Sequence, residues 1–249
     1  MIGVKIPVDK TYLIEIPLIV GVSKYNFPDI PFLKGKSILA VEAVTPNATL
    51  VSPNNLLCNK IDSFKMTLIN EKSLVIVDSM PLLISAQVFK NGFVLNDTVK
   101  FSSSFIEIPL VEADFAPRCI LLTVYYTDTP KSNKGLGYKS EKVNLKKPFV
   151  WQKLNNLTKL DNTLKIVSFT LSTSDANPCF FNLINTAGEK IFDTAYDRSI
   201  SSSNSDASAI LEIYKISPLK VDFQKSEVMQ TGGIGFSLFV GAFYERDII

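Results

Sequence analysis

The sequence predicts an all-β protein built as two tandem β-sandwich domains, and three observations carry that reading. Thirteen short runs rich in β-branched and aromatic residues are each bounded by Pro, Asn, Gly or Ser. No window sustains the apolar i, i+3, i+4, i+7 spacing of a helix for three turns. Three pairs of runs recur in the same order in the two halves, as drifted copies of one domain would.

Taken in order, the chain opens with a Pro-spaced apolar arm over residues 1–27. Its strand-like TYLIEIPLIV (11–20) is suited to adding to its own domain or to a neighbour's edge. A first domain over 28–130 takes strands from KSILAVEAV (36–44), FKMTLIN (64–70), SLVIV (73–77), PLLISAQVF (81–89), FIEIPLV (105–111) and CILLTVYY (119–126). Two segments, NNLLCNKI (54–61) and VEADFAPR (111–118), have room for one helical turn each. Residues 131–157 form a Lys-rich connector, where seven Lys, two Gly and the only Trp mark a path over the surface. A second domain over 158–249 takes LKIVSFTLS (164–172), PCFFNLIN (178–185), EKIFDTAY (189–196), AILEIYKI (209–216), LKVDF (219–223) and FSLFVGAFY (236–244). Within it, SISSSNSDAS (199–208) reads as a projecting loop and TGGIG (231–235) as a hairpin turn.

The repeats are specific in register. SILAVEAVT (37–45) aligns without gaps to KIVSFTLST (165–173), Phe64-Lys-Met-Thr-Leu-Ile-Asn to Cys179-Phe-Phe-Asn-Leu-Ile-Asn, and ILLTVYY (120–126) to LFVGAFY (238–244). The competing reading is that short strands resemble one another because β-propensity draws on few residue types.

Composition excludes much of chemistry. With no His, the chain lacks Ser-His and Cys-His catalysis, the commonest zinc ligand and the usual neutral-pH acid–base group. No P-loop, G-x-S-x-G or G-x-G-x-x-G occurs. Cys58, Cys119 and Cys179 are too widely spaced for a CxxC motif and read as small buried apolar residues. Net charge is +2, and Arg stands only at 118, 198 and 246, so sequence-specific nucleic-acid binding is not expected. Lys5, Asp9, Lys10, Glu15 and two prolines interrupt the apolar N-terminus, so it does not read as a signal peptide, and synthesis in a cytoplasm is expected. No cofactor, metal or catalytic residue is expected.

Carboxylate pairs are the remaining catalytic candidates. Glu112 with Asp114 and Asp193 with Asp197 are the two, and each also reads as solvated surface charge. A stronger feature is Lys146-Lys147-Pro148-Phe149-Val150-Trp151-Gln152-Lys153, where two aromatics stand among lysines. Lys146, Lys147, Phe149, Trp151 and Lys153 are candidate contacts at a subunit interface or an anionic surface; the alternative is a linker whose aromatics dock on one domain.

The paired segments, the chain-terminal strand FSLFVGAFYERDII and the missing catalytic groups together resemble the double jelly-roll major capsid proteins of small icosahedral, membrane-containing bacteriophages of the Finnlakeviridae type. The resemblance implies two tandem jelly rolls per chain. It further implies a homotrimer with a pseudo-hexagonal outline, tiling an icosahedral virion shell beside penton proteins and, in some members, over an internal lipid membrane. It would set SISSSNSDAS on the outer side and the Lys-rich connector on the inner face. A jelly roll has eight strands, whereas six runs per half are read above with the arm's run apart, so each copy needs a further strand. Rival functions are a penton or collar protein, a carbohydrate-binding module and a carboxylate-pair hydrolase; none of them calls for two similar sandwiches.

Overall fold

The computed structural model describes residues 10–44, 64–82, 85, 94–108, 119–130, 132–145, 152–153, 165–173, 179–185, 190–196, 210–220, 223–230 and 236–248. Side chains are described for 10–43, 64–82, 85, 94–108, 119–130, 132–140 and 241–248. The chain divides into two compact units, one comprising Met1–Tyr138 and Arg246–Ile249, the other Lys139–Glu245.

In the first unit the strands are β1 (Lys10–Pro17), β2 (Lys24–Asn26), β3 (Ser37–Val44), β4 (Lys65–Ile69), β5 (Val75–Pro81), β6 (Phe105–Glu107) and β7 (Cys119–Thr127). Alternation in CILLTVYYT turns Ile120, Leu122, Val124 and Tyr126 inward and leaves Cys119, Leu121, Thr123 and Tyr125 half-buried on the outer face. Antiparallel pairing sets Ile14 opposite Leu122 and Ile16 opposite Ile120, and on the other side Val41 opposite Val124 and Ala43 opposite Leu122. Those buried rows give the order β1-β7-β3. The facing strands run β5-β4-β6-β2, and they bury Tyr25, Met66, Leu68, Ile76, Met80 and Ile106. Each large apolar side chain removed from water contributes about 1.5–3 kcal/mol, so the packed rows hold the two sheets together.

The strands of the second unit, of which β8 begins and β15 ends within the first, are β8 (Lys134–Leu145), β9 (Gln152–Lys153), β10 (Lys165–Thr173), β11 (Cys179–Asn185), β12 (Lys190–Tyr196), β13 (Ile210–Lys220), β14 (Phe223–Gln230) and β15 (Phe236–Asp247). Their orders are β8-β15-β10-β13 and β12-β11-β14-β9. The two units therefore share one topology. Matching β1 to β8, β2 to β9, β3 to β10, β4 to β11, β5 to β12, β6 to β14 and β7 to β15 superposes both orders. The first unit's counterpart of β13 is the segment through Asp97, which bridges Ile38 beside β3. Consecutive strands that exchange between facing antiparallel sheets make each unit a jelly roll of eight positions.

All three repeated sequence pairs fall on matched strands: β3 with β10, β4 with β11, β7 with β15. The strands missing from the sequence count lie in the two flanking segments and, for β14, within the second domain. Residues 10–17 and 24–26 of the arm form β1 and β2, with β1 pairing to β7 of its own unit. Residues 134–145 of the connector form β8, in which Tyr138 is fully buried. Lysine did not prevent this, because an antiparallel strand needs only one buried face. AILEIYKI and LKVDF do not form separate strands: β13 runs unbroken through Ser217 and Pro218 to Lys220, and Phe223 starts β14. PLLISAQVF is described only at residues 81, 82 and 85, where Pro81 ends β5. The segments 54–61 and 111–118, the loop 199–208 and the turn 231–235 lie outside the described residues.

Candidate interaction surfaces

Lys146, Lys147, Phe149 and Trp151 lie outside the described residues. They fall in the chain between β8 and β9, two strands of the second unit. Lys153 ends β9, where its register partner on β14 is Glu227.

The best-described surface is one end of the first unit. Here β2, β4 and β7 end and β1, β3, β5 and β6 begin, so their connecting segments meet. Phe32, on a one-turn 3-10 helix at Pro31–Leu33, is 54% exposed although its ring stacks on Tyr12 at 5.8 Å and meets Tyr126 edge-on at 5.8 Å. Lys36 Nζ sits 4.9 Å from the centre of the Phe32 ring, a cation–π contact. The same ammonium donates to Asp128 at 2.7 Å, and Lys10 donates to the other oxygen of that carboxylate. Hydrogen bonds from Lys10 and then Lys36 hold the exposed Asp128 carboxyl down at about 2.

Two clefts open among these loops. One, of about 550 Å³, is lined by Asp29, Pro31, Lys34, Glu71 and Lys100. Another, of about 380 Å³, is lined by Glu71, Asp97, Thr98, Ser132, Asn133 and Ile248. Charges of both signs line the larger one. Glu71 is occupied in accepting from the Gly35 amide at 2.7 Å, and neither cleft presents a convergent acid–base pair.

The outer face of β1-β7-β3 carries Leu13, 61% exposed, beside half-buried Leu121, Thr123 and Tyr125. Tyr125 donates to Glu42 at 2.8 Å. Burial, then this hydrogen bond and the Glu42 charge, push the phenol up to about 12. Cys119 is a free thiol at the start of β7. Burial first, then neighbouring Glu15, push its pKa up, the opposite of nucleophile activation. Of the carboxylate pairs, Glu112, Asp114 and Asp197 lie outside the described residues, and Asp193 sits in β12 opposite Asn182. Among the described residues no group of three or more Cys, Asp or Glu is placed to hold a metal ion.

The comparison with solved structures bears on the whole chain. The major capsid protein P2 of bacteriophage PM2 superposes with a TM-score of 0.50 at 9% identity, covering 96% of this chain and 98% of that one. This chain shares the fold of that protein. Weaker likenesses are to a Bacillus endospore appendage protein (TM-score 0.29, 7% identity, 47% of this chain and 93% of that one) and to infectious bursal disease virus, Gx strain (0.23, 10% identity, 96% and 70%). No protein-family model matches the sequence, and no curated protein matches it.

Proposed function

We propose that this protein is a structural capsid protein that self-assembles, as pseudo-hexagonal trimers, into the icosahedral shell of a virion. The observation that carries the reading is duplication: one chain holds two jelly rolls of identical strand order, and the PM2 capsid protein matches over both at once. Two like sandwiches per chain and three chains per block give six like walls, a shape that tiles hexagonally. A binding module or an enzyme has no use for that doubling. The Finnlakeviridae-type phages are the group the sequence resembles, which makes neighbouring capsomers, penton proteins and an internal membrane the partners of this reading. Assembly then needs no catalytic residue or cofactor, and synthesis takes place in the host cytoplasm.

Electron microscopy of the purified protein tests the reading. Six-sided particles, alone or in hexagonal arrays, support it; isolated elongated monomers or five-fold rings contradict it.

Within this reading Lys146, Lys147, Phe149, Trp151 and Lys153 contact the inner, anionic side of the shell or an adjacent subunit. Each lysine near an anionic lipid surface contributes about 1 kcal/mol. Replacing Lys146, Lys147 and Lys153 by Gln is expected to lower co-sedimentation with phosphatidylglycerol vesicles at least tenfold. Unchanged binding removes the inner-face placement and leaves the subunit contact.

A further inference from the structure

We propose that the segment from Arg246, which follows the second unit in the chain, acts as a latch that closes the first unit, so that this jelly roll is completed only by residues that lie beyond the second. The inference goes beyond the capsid reading and does not depend on it. It starts from Asp97, a carboxylate buried in the strand-like segment 94–97. One of its oxygens accepts from the Thr98 amide at 2.7 Å, and the other accepts from Asn70 Nδ2 at 3.1 Å and from the Arg246 guanidinium. Thr98 and Asn70 are neutral donors 1 and 27 residues away, whereas Arg246 is the cation among the three and lies 149 residues away.

The segment that carries Asp97 is held on both sides. Toward β3, Asp97 and Ile38 exchange backbone hydrogen bonds, and the Leu95 amide donates to Leu39. Toward residues 132–136, buried Asn96 donates to the carbonyls of Ser132 at 3.0 Å and Lys134 at 2.9 Å, and Leu136 donates to Val94 and Leu95. Ile248 seals the same seam. The Ile248 amide donates to the Asn133 carbonyl at 2.9 Å, and Ile248 lines the 380 Å³ cleft beside Asp97 and Ser132. Gly135 makes the approach possible. A Cβ there would lie 2.0 Å from the Leu95 carbonyl oxygen and 3.1 Å from Ile248 Cδ1.

Burying a carboxylate without its cation is unfavourable, so the seam around 94–97 and 132–136 has reason to open whenever Arg246 is absent. A chain shorter than 246 residues, as during synthesis, lacks that cation. The strand pairs of β1 with β7 and β7 with β3 involve no residue of 246–249.

Hydrogen exchange on the full-length protein tests the latch. Arg246→Gln is expected to speed exchange of the Leu95, Asp97, Leu136 and Ile248 amides at least tenfold while amides of the β1–β7 ladder change less than threefold. Asp97→Asn added to Arg246→Gln removes the uncompensated charge and is expected to restore most of the lost protection. Arg246→Lys, which keeps the charge without the fork, should fall between, and it remains measurable if the Gln variant fails to fold. Unchanged exchange at those four amides, or an equal rise throughout the unit, overturns the proposal, as does an Asp97→Asn double variant no better protected than Arg246→Gln alone.

Discussion

Individual side chains in the first unit are placed by requirements that single residues satisfy. Tyr25 turns its ring into the core and keeps its hydroxyl at the loop, where it accepts from the Ile19 amide at 2.9 Å with the carbonyls of Ile19 and Val22 within 3.1 Å. That dual character is why a tyrosine stands in so short a strand. Tyr125 is placed on the outer face by the same alternation that buries Tyr126, and it finds Glu42 across the ladder. Because the folded protein holds the phenolic proton to about 12 rather than the ordinary 10, folding binds a proton more tightly over that interval. The sign follows: Tyr125 contributes stability in full below pH 10 and loses it as pH rises toward 12. Ultraviolet titration of the folded protein should show late tyrosine ionisation, of which Glu42→Gln moves one residue's worth toward 10. A Glu42→Gln variant with an unchanged titration curve would show that burial alone sets the value.

Elements were legible in the sequence in proportion to how fully their apolar pattern announces them. CILLTVYY and KIVSFTLS draw half or more of their residues from β-branched and aromatic types and form β7 and β10 within a residue or two. β14 was missed because FQKSEVMQ is mostly polar, and β2 and β9 because two or three residues carry no period. β8 was read as connector because its lysines mask a buried tyrosine and two buried glycines. The repeated Leu-Ile-Asn has a physical explanation in the first copy. Asn70 directly follows β4 and its side-chain oxygen accepts from the amides of Lys72 at 3.1 Å and Leu74 at 2.9 Å, which fixes the hairpin to β5. The turn also needs Ser73 at φ +64°, a conformation that an unanchored serine disfavours. Asn70→Ala removes the anchor and is expected to cost about 1–3 kcal/mol in denaturant unfolding. A loss below a few tenths of a kcal/mol would mean that the β4–β5 ladder alone holds the turn.

At the scale of the molecule, the reading from sequence rested on three segment pairs, and those pairs occupy equivalent positions in two jelly rolls of the same strand order. Order and register survived between copies while loops did not, because a one-residue slip would turn each strand's buried set outward, whereas loops change at little cost. The candidate contacts were less legible. Interface aromatics and core aromatics look alike along a chain, and the exposed Phe32 with its Tyr12, Tyr126 and Lys36 neighbours is assembled from three distant segments. In the proposed reading, duplication within one chain serves a block with more like faces than chains. The most direct measurement is the solution mass of the purified protein by analytical ultracentrifugation over a range of concentrations. A stable species of about 83 kDa, three times the 27.6 kDa chain, is the expected result. A mass that stays at one chain at every concentration, or a stable five-chain species, would contradict the trimeric capsid account.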